Sequence, residues 1–481
     1  MWRLLRAIFV LINFILFYFS SISQSTFFKS YGGNLNDYAE GIISTKDSGF
    51  LAVGATESFG NGLTDFYLIK IDKDGNFQWH KTFGGPGIDF GKAVIQTPDS
   101  GYLACGYSNS INLNYDLFII KVDQNGNLEW SKRYGGDDWD FGNNIVASKV
   151  DSNHFYIIGQ TYSYGNLNGN GLILKINSNG DSLKMNTFGG NLEDEFKDAV
   201  QDNNGNLYCI GTNNSKFQDS RLWISKINNY GDSIWNYYSD SLMSNGRSIT
   251  IINEKLVFCG SRNPIQVGNV IPKSFYLVGA IDSNKNELFF ADFNYVSESV
   301  ESCVDVIRKQ NSNNYYLISN IHHNNQNKIY NSEMTNQYVV PGQSSLNGNN
   351  EDIVKGLDTL LSNDGFVAVG TTQETNYGFT DIFIAKTYNI EWDSTYSNNL
   401  LLNKIDQNVK TIKIYPNPTK RFLHLENVTN ESHISIYNLF GRIVATFISE
   451  KVIDLENLKK GIYWIEIKNK NADFSTKFIK L

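Results

Sequence analysis

A short phrase, an aromatic residue followed by two glycines, returns along this chain every 51 to 54 residues. Between the phrases lie short runs rich in aromatic and branched residues, separated by Asp-Gly and Asn-Gly turns. Such a period predicts a modular array of four-stranded antiparallel units rather than one irregular domain. The phrases are Tyr31-Gly32-Gly33, Phe83-Gly84-Gly85, Tyr134-Gly135-Gly136 and Phe188-Gly189-Gly190.

The last unit indicates how the array ends. Residues 366–370 and 381–386 match the second and third strands of the first unit, and no fourth strand follows them. Residues 27–33 align instead with residues 79–85, the fourth strand of the first unit. Six complete units and one completed by the N-terminus predict an all-β fold, a seven-bladed β-propeller closed by the N-terminal strand. Closure is favoured because it removes the exposed sheet edges of an open array.

These repeats resemble the bacterial β-propeller repeat family. The shared pattern is aromatic-Gly-Gly, an Asp, and then a strand of the form Gly-φ-φ-φ-x-Gly-x-Thr, where φ is apolar. Residues 49–56 and 365–371 fit it well, whereas the fifth and sixth units depart from it. The resemblance covers residues 25–390 and implies the fold alone, because that family has no common activity.

One aspartate returns four residues after each glycine pair, and Asp352 is in phase with it in the last unit. A ring of carboxylates at this position would suit a cation or a cationic ligand. The alternative, which we favour, is structural: each carboxylate accepts hydrogen bonds from turn amides and fixes the start of its blade. The recurring residues are Gly32, Gly33, Asp37, Gly84, Gly85, Asp89, Gly135, Gly136, Asp140, Gly189, Gly190, Asp194 and Asp352.

The densest acidic and aromatic cluster of the array is Asp137, Asp138 and Trp139. An exposed Trp beside carboxylates suits sugar binding. Because Trp139 takes the place of Ile88 in the previous repeat, a core or solvated-loop role is the favoured interpretation. The cluster is therefore a weak candidate for a ligand site. The six histidines show no metal-binding spacing, and the sequence indicates no catalytic residue, metal or cofactor.

The N-terminus predicts a secretory signal peptide over residues 1–23. Arg3 and Arg6 precede an apolar run over residues 7–19, and small residues stand just before Gln24. An uncleaved anchor helix is the alternative. Residues 25–410 hold 28 Lys and Arg against 42 Asp and Glu, a net charge of −14 that disfavours nucleic acid and anionic membranes as partners.

Four cysteines in an exported chain raise the question of disulfides. Cys105, Cys209 and Cys259 each lie just before a strand-ending glycine, and each belongs to a different repeat. We therefore expect small buried hydrophobic residues with free thiols.

Residues 391–410 are polar and predict a linker, after which residues 411–481 contain short alternating strands that predict a small immunoglobulin-like β-sandwich. The order of its motifs is similar to that of the type A C-terminal sorting domain of the Bacteroidetes type IX secretion system. The resemblance implies export across the outer membrane, the secretion machinery as a partner, and cleavage of the domain. The alternative is an ordinary carbohydrate-binding sandwich. The motif residues are Tyr415, Pro416, Asn417, Pro418, Gly441, Gly461, Tyr463 and Lys477.

Together these features predict a secreted or cell-surface propeller, expected to be monomeric, that binds polysaccharide or protein without catalysis. One alternative is a secreted polysaccharide hydrolase or lyase whose carboxylates come from separate blades, a pairing that sequence spacing would not reveal. The other is a structural surface protein.

Overall fold

The computed structural model is all-β, with 36 strands among the residues that it describes. Within the part of the chain that it describes, no helix is long and apolar enough to cross a membrane. The described residues are 26–111, 114–166, 168–241, 243–262, 274–293, 300–310, 312–323, 326–334, 339–340, 345–346, 352–361, 365–372, 380–387, 413–415, 419–426, 432–438, 443–469 and 472–481. The predicted signal peptide and the predicted linker lie outside them.

Seven antiparallel sheets form the propeller, and the innermost strand stands at one end of each sheet. The predicted seven-bladed fold is thus confirmed. By blade, the strands are β2 (Asp37–Ser44), β3 (Phe50–Thr56), β4 (Asp65–Ile71), β5 (Phe77–Phe83); β6 (Asp89–Gln96), β7 (Tyr102–Ser108), β8 (Asp116–Val122), β9 (Leu128–Tyr134); β10 (Asp140–Ala147), β11 (His154–Thr161), β12 (Asn170–Asn177), β13 (Ser182–Phe188); β14 (Asp194–Gln201), β15 (Leu207–Asn213), β16 (Arg221–Ile227), β17 (Ser233–Tyr238); β18 (Ser244–Ile252), β19 (Lys255–Arg262), β20 (Phe275–Ile281), β21 (Glu287–Phe293); β22 (Val300–Arg308), β23 (Tyr315–His323), β24 (Gln326–Met334), β25 (Val339–Val340), β26 (Ser345–Leu346); and β27 (Ile353–Thr359), β28 (Phe366–Thr372), β29 (Asp381–Thr387), β1 (Phe27–Tyr31).

The seventh blade is completed by the first strand of the chain, as the sequence predicts. β1 pairs antiparallel with β29, with Phe27 opposite Lys386 and Tyr31 opposite Ile382. In the first blade Trp79 stands opposite Lys70 in the same register. The predicted alignment of residues 27–33 with residues 79–85 is therefore the alignment that the sheet adopts.

The apolar cores lie between blades. Both middle strands of blade 1 are buried along their whole length. Leu51 and Phe66 of blade 1, for example, share one cluster with Val94 and Phe118 of blade 2. Each blade is thus stabilised chiefly by burying its faces against its two neighbours, which is why the closing strand matters to the whole ring.

The expectation of free thiols at all four cysteines is wrong for two of them. Cys259 and Cys303 form a disulfide, whereas Cys105 and Cys209 are free and buried. Cys259 lies on the second strand of blade 5 and Cys303 on the first strand of blade 6. The second strand of one blade packs against the first strand of the next, so residues of different repeats can meet in the core between two blades.

The C-terminal unit is compact in its own right, and the division between the two units falls between Asn399 and Leu400. It contains two sheets, which order as β30-β31-β34 and β33-β32-β35-β36 and contribute to one shared apolar core. Its strands are β30 (Lys413–Tyr415), β31 (Phe422–Glu426), β32 (His433–Tyr437), β33 (Ile443–Ile448), β34 (Val452–Asp454), β35 (Gly461–Asn469) and β36 (Ala472–Lys480).

Candidate functional site

The recurring aspartates are buried at the start of the innermost strands. In each of the first four blades, Oδ2 of the aspartate accepts a hydrogen bond from the amide of the second glycine and another from a serine hydroxyl. The amide bonds are Gly33–Asp37 at 2.7 Å, Gly85–Asp89 at 2.9 Å, Gly136–Asp140 at 3.1 Å and Gly190–Asp194 at 2.6 Å. The serines are Ser58, Ser110, Ser163 and Ser215.

Two of the first glycines have positive φ, at 151° for Gly84 and 139° for Gly189, and a Cβ on either would collide with the aspartate of its own blade. Asp352 is buried at the same position of blade 7. These contacts support a structural role for the repeat residues, which stays a prediction.

A second set of buried carboxylates joins neighbouring innermost strands. Asp198 accepts a hydrogen bond from the amide of Ile249 at 2.9 Å, and Asp358 accepts one from the amide of Ser44 at 2.6 Å. Asp305 likewise accepts from the amide of Leu357 at 3.0 Å. Each carboxylate thus satisfies an amide of the following blade.

Burial raises the pKa of Asp198 to about 7 and the pKa of Asp358 to about 6, and the charge of Asp305 adds to both effects. Burial also raises the pKa of Asp305. Each of these groups helps to hold two blades together, and all three also line one cavity in the channel.

The innermost strand of every blade carries a β-bulge at the same point. In each blade one residue is left unpaired between two paired neighbours. A bulge re-aims the side chain of the extra residue, and all seven extra residues line one cavity of about 350 Å³. We call this set the bulge ring: Glu40, Lys92, Asn143, Lys197, Arg247, Val304 and Lys355.

The bulge ring holds four cations and one carboxylate, and Asp198, Asp305 and Asp358 line the same cavity, so charges of both signs face the channel. Glu40 forms ion pairs with Lys92 at 3.2 Å and with Lys355 at 3.8 Å. Burial alone would raise the pKa of Glu40, but Lys92, Lys355 and Arg247 outweigh it and hold that pKa below its usual value. Lys197 pairs with Glu195. Arg247 is exposed and makes no hydrogen bond or ion pair within the described residues.

A larger cavity of about 570 Å³ opens at the end of the ring where the innermost strands begin, and we call it the mouth cavity. It is continuous with the bulge ring, since four ring residues line both cavities. Its other lining groups include amides and hydroxyls, among them Asn245, Asn320, Ser261 and Ser302. This combination offers many hydrogen-bonding groups and little apolar surface.

The other side of the mouth is aromatic. Glu195 and Asn245 occupy the second position of their innermost strands and line the mouth cavity. In blades 1–3 the same position holds Tyr38, Phe90 and Phe141. The contrast divides the ring into an aromatic sector and a polar sector.

These rings belong to a continuous set with centroids 5.1 to 6.4 Å apart, in which all but one ring are half-buried. The set meets the mouth cavity at Glu193, whose carboxylate accepts a hydrogen bond from the Tyr162 hydroxyl at 2.7 Å. We call it the aromatic belt: Tyr38, Phe90, Tyr107, Tyr115, Trp139, Phe141 and Tyr162.

All three residues of the predicted cluster Asp137, Asp138 and Trp139 are exposed, and Trp139 is a member of the belt. The Trp139 indole is 49% exposed and contacts Tyr115 and Tyr162. The role of this cluster as a ligand site stays a prediction. Within the described ranges no group of three or more His, Cys, Asp or Glu side chains could hold a metal ion.

Of the predicted sorting residues, Tyr463 is buried in the C-terminal core, and its hydroxyl donates to the carbonyl of Lys459 at 2.9 Å. Gly461 begins β35, where it pairs with Lys480, and Lys477 pairs with Trp464. Tyr415 ends β30. Pro416, Asn417, Pro418 and Gly441 lie outside the described residues.

Sequence reasoning missed the bulge ring altogether. Its signal is the residue three positions after the repeat aspartate, which varies between Glu, Lys, Asn, Arg and Val while the residue before it stays small or apolar. A position that varies within a regular repeat can indicate a residue that lines the channel. The sequence does not show the direction of that side chain, because the bulge turns it inward.

Residues 413–481 match the secretion system C-terminal sorting domain family. This confirms the predicted type IX sorting domain and, with the seven blades, establishes a secreted or cell-surface propeller protein. The sorting domain implies interaction with the type IX secretion machinery. No curated protein matches the chain.

Among solved structures, Drosophila Plexin A in complex with Semaphorin 1b is similar at 9% identity and a TM-score of 0.46, covering 75% of this chain and 88% of that chain. A fungal alcohol oxidase of the AA5 family, in complex with copper, is similar at 8% identity and a TM-score of 0.46, covering 94% and 98%. A putative 6-phosphogluconolactonase from Bacteroides uniformis is similar at 11% identity and a TM-score of 0.41, covering 72% and 95%.

Proposed function

We propose that the propeller is a non-catalytic binding module for extracellular polysaccharide, with the aromatic belt and the mouth cavity as its site. The observation that carries the proposal is the belt itself. Seven touching rings, one of them exposed and six half-buried, stand beside a cavity lined by hydroxyl, amide and charged groups. Soluble proteins rarely leave such a surface uncovered without a binding role.

The chemistry of a sugar fits both parts of this surface. The flat, weakly polar face of a pyranose ring packs on an aromatic ring, while its hydroxyls need hydrogen-bond partners at its edge. Tyr115 and Trp139 present rings in the belt, and Asn245 and Asn320 present amides in the mouth cavity. A mouth cavity of about 570 Å³ lies within the usual size range of ligand sites.

Binding is favoured over hydrolysis because Asp198, Asp305 and Asp358, which line the channel cavity, each already accept a backbone hydrogen bond from the next blade. Glycoside hydrolysis needs two carboxyl groups facing one scissile bond. A hydrolase or lyase therefore remains the alternative that the same experiment detects.

The test uses the purified mature chain incubated with a panel of insoluble polysaccharides, with retained protein and released sugar measured in the same tubes. We expect retention without release. We also expect Trp139→Ala to weaken retention at least about fivefold, since an aromatic contact contributes roughly 1 kcal/mol beyond the area that it buries. The matched control is Tyr230→Ala, which removes an aromatic side chain that is 76% exposed on a turn remote from the belt.

Released sugar would replace this proposal with the enzymatic alternative. No retention on any polysaccharide would overturn it in favour of a protein ligand or a structural role. Equal retention of both variants would remove the belt from the site.

A further inference from the structure

The edge strands of the C-terminal unit are unequally protected against pairing with another chain. Among the described residues its two sheets have four edge strands, β30 and β34 on one sheet and β33 and β36 on the other. β30, β34 and β36 each carry at least one Lys or Asp, whereas β33 carries no charged residue. Charges on an edge strand are a common protection against such pairing. β33 is therefore the edge that is open to a partner strand.

Most of the exposed side chains of β33 are apolar. Ile443 is 57% exposed and Ile448 is 66% exposed, and Val444 is exposed as well. Ala445 and Phe447 are half-buried and pack against the core of the unit. The solvent face of an antiparallel strand usually carries polar residues. A six-residue strand rich in branched residues, without charge, Pro or Gly, is instead the kind of segment that pairs readily with another strand.

The open edge of the other sheet lies on the same side of the unit. β34 follows β33 after only three residues, and the two strands are edge strands of different sheets. Backbone hydrogen bonds hold the turn between them, from the Ser449 amide to the Ser432 carbonyl and from the Leu425 amide to the Lys451 carbonyl, both at 2.8 Å. Val452, the first residue of β34, is 45% exposed. The exposed apolar residues of β33 thus continue across the turn onto β34.

We propose that β33 is the surface by which the sorting domain is recognised, and that a component of the type IX secretion machinery adds a β-strand to it. The occupant follows from the nature of the domain, because residues 413–481 match the sorting-domain family and such a domain implies interaction with that machinery. Strand addition fits an open edge, since the main chain supplies hydrogen bonds and alternate side chains supply specific contacts. The partner strand should carry apolar side chains on the face that it shares with Ile448.

A β-bulge favours a dedicated partner over pairing between copies of this chain. Val444 is left unpaired against β32, so the regular part of β33 runs only from Ala445 to Ile448. Bulges and short edges are devices that limit edge-to-edge association between identical chains. A partner that also contacts the exposed side chains of Ile443 and Ile448 gains what the short ladder of backbone hydrogen bonds does not provide.

The test is export of the full-length chain by a bacterium that has a type IX secretion system, measured by fractionation and immunoblotting. Ile448→Lys places a charge on the open edge and should lower the exported amount about tenfold or more, with the chain retained in the periplasm, because burying one isoleucine changes an affinity by about that factor. Ile234→Lys is the matched control. Ile234 lies on the outermost strand of blade 4 and is 50% exposed, so the same substitution there should leave export unchanged.

Normal export of Ile448→Lys would overturn the inference, and so would equal retention of both variants, because the effect would then not be specific to β33. Light scattering of the purified mature chain tests the other occupant. A dimer that Ile448→Lys dissociates would assign β33 to a second copy and would also overturn the inference. If the Ile448 variant proves unfolded by circular dichroism, Thr446→Lys places the same charge at another exposed position of β33 and decides the matter in its place.

Discussion

Replacing Phe27 with alanine tests whether the first strand holds the ring together. Phe27 is 7% exposed and packs in the cluster shared by blades 7 and 1, with its ring 6.1 Å from that of Phe50. Truncating a buried Phe to Ala costs about 3–5 kcal/mol. Because a terminal strand can relax more than a central one, we take about 3 kcal/mol as the expected loss.

For a ring of this length the entropy of unfolding is roughly 0.8 kcal/mol per degree, so Phe27→Ala should lower the melting temperature by about 4 °C. The assay is differential scanning calorimetry of the mature chain. Phe77→Ala is the matched control, because Phe77 also stands in a blade's outermost strand but is 56% exposed, and its loss should shift the melting temperature by less than about 1 °C.

Deleting residues 25–33 should have a larger effect. It removes the whole β1–β29 ladder, and it also removes the Lys29 and Tyr31 hydrogen bonds to the carbonyl of Gly75. Melting temperatures that are equal for Phe27→Ala and Phe77→Ala, or unchanged by the deletion, would refute the closure as a source of stability.

Three further predictions concern the disulfide, the acidic groups and the sorting domain. Thiol titration of the unfolded chain should find two free thiols without reductant and four with it, and four free thiols without reductant would contradict the pairing. Replacing both Cys259 and Cys303 with alanine should lower the free energy of unfolding by about 4 kcal/mol, because the bond closes a 44-residue loop. The pKa values of Asp198, at about 7, and of Asp358 and Asp381, at about 6, all lie above the value of an unfolded Asp. The folded state therefore holds protons that the unfolded state has lost, so stability should fall as pH rises from about 4 to 7. A melting temperature no lower at pH 8 than at pH 5, at fixed ionic strength, would contradict that sign. Truncation after Asn408 should retain the protein in the periplasm, as fractionation and immunoblotting would show, whereas the truncated protein in the medium would argue against the sorting role.

The seven-bladed ring could be predicted from the sequence because its repeats can be aligned directly with one another. The match of residues 27–33 to residues 79–85 gave both the blade number and the register of β1 against β29. The sorting domain could likewise be predicted, because its motifs are linear. In both cases the information is local to short segments that can be compared directly.

What could not be predicted depends on neighbouring blades. The Cys259–Cys303 bond joins positions that do not correspond in the repeat, since one is on a second strand and the other on a first strand. The bulge ring depends on an unpaired residue such as Arg247, whose inward direction follows from backbone geometry and not from residue type. The Asp198 contact with the Ile249 amide is again a contact between two blades.

Because β1 pairs with β29, the ring cannot close during export until nearly all of the propeller has been delivered. A chain that crosses the inner membrane from its N-terminus delivers β1 first, and that strand has no partner until nearly all the propeller has followed. Contacts so distant in sequence form slowly, and an unpaired strand invites association with other chains in the meantime. The sorting domain follows β29 in the chain. Any molecule that has exported its sorting domain has therefore already delivered every strand of its ring.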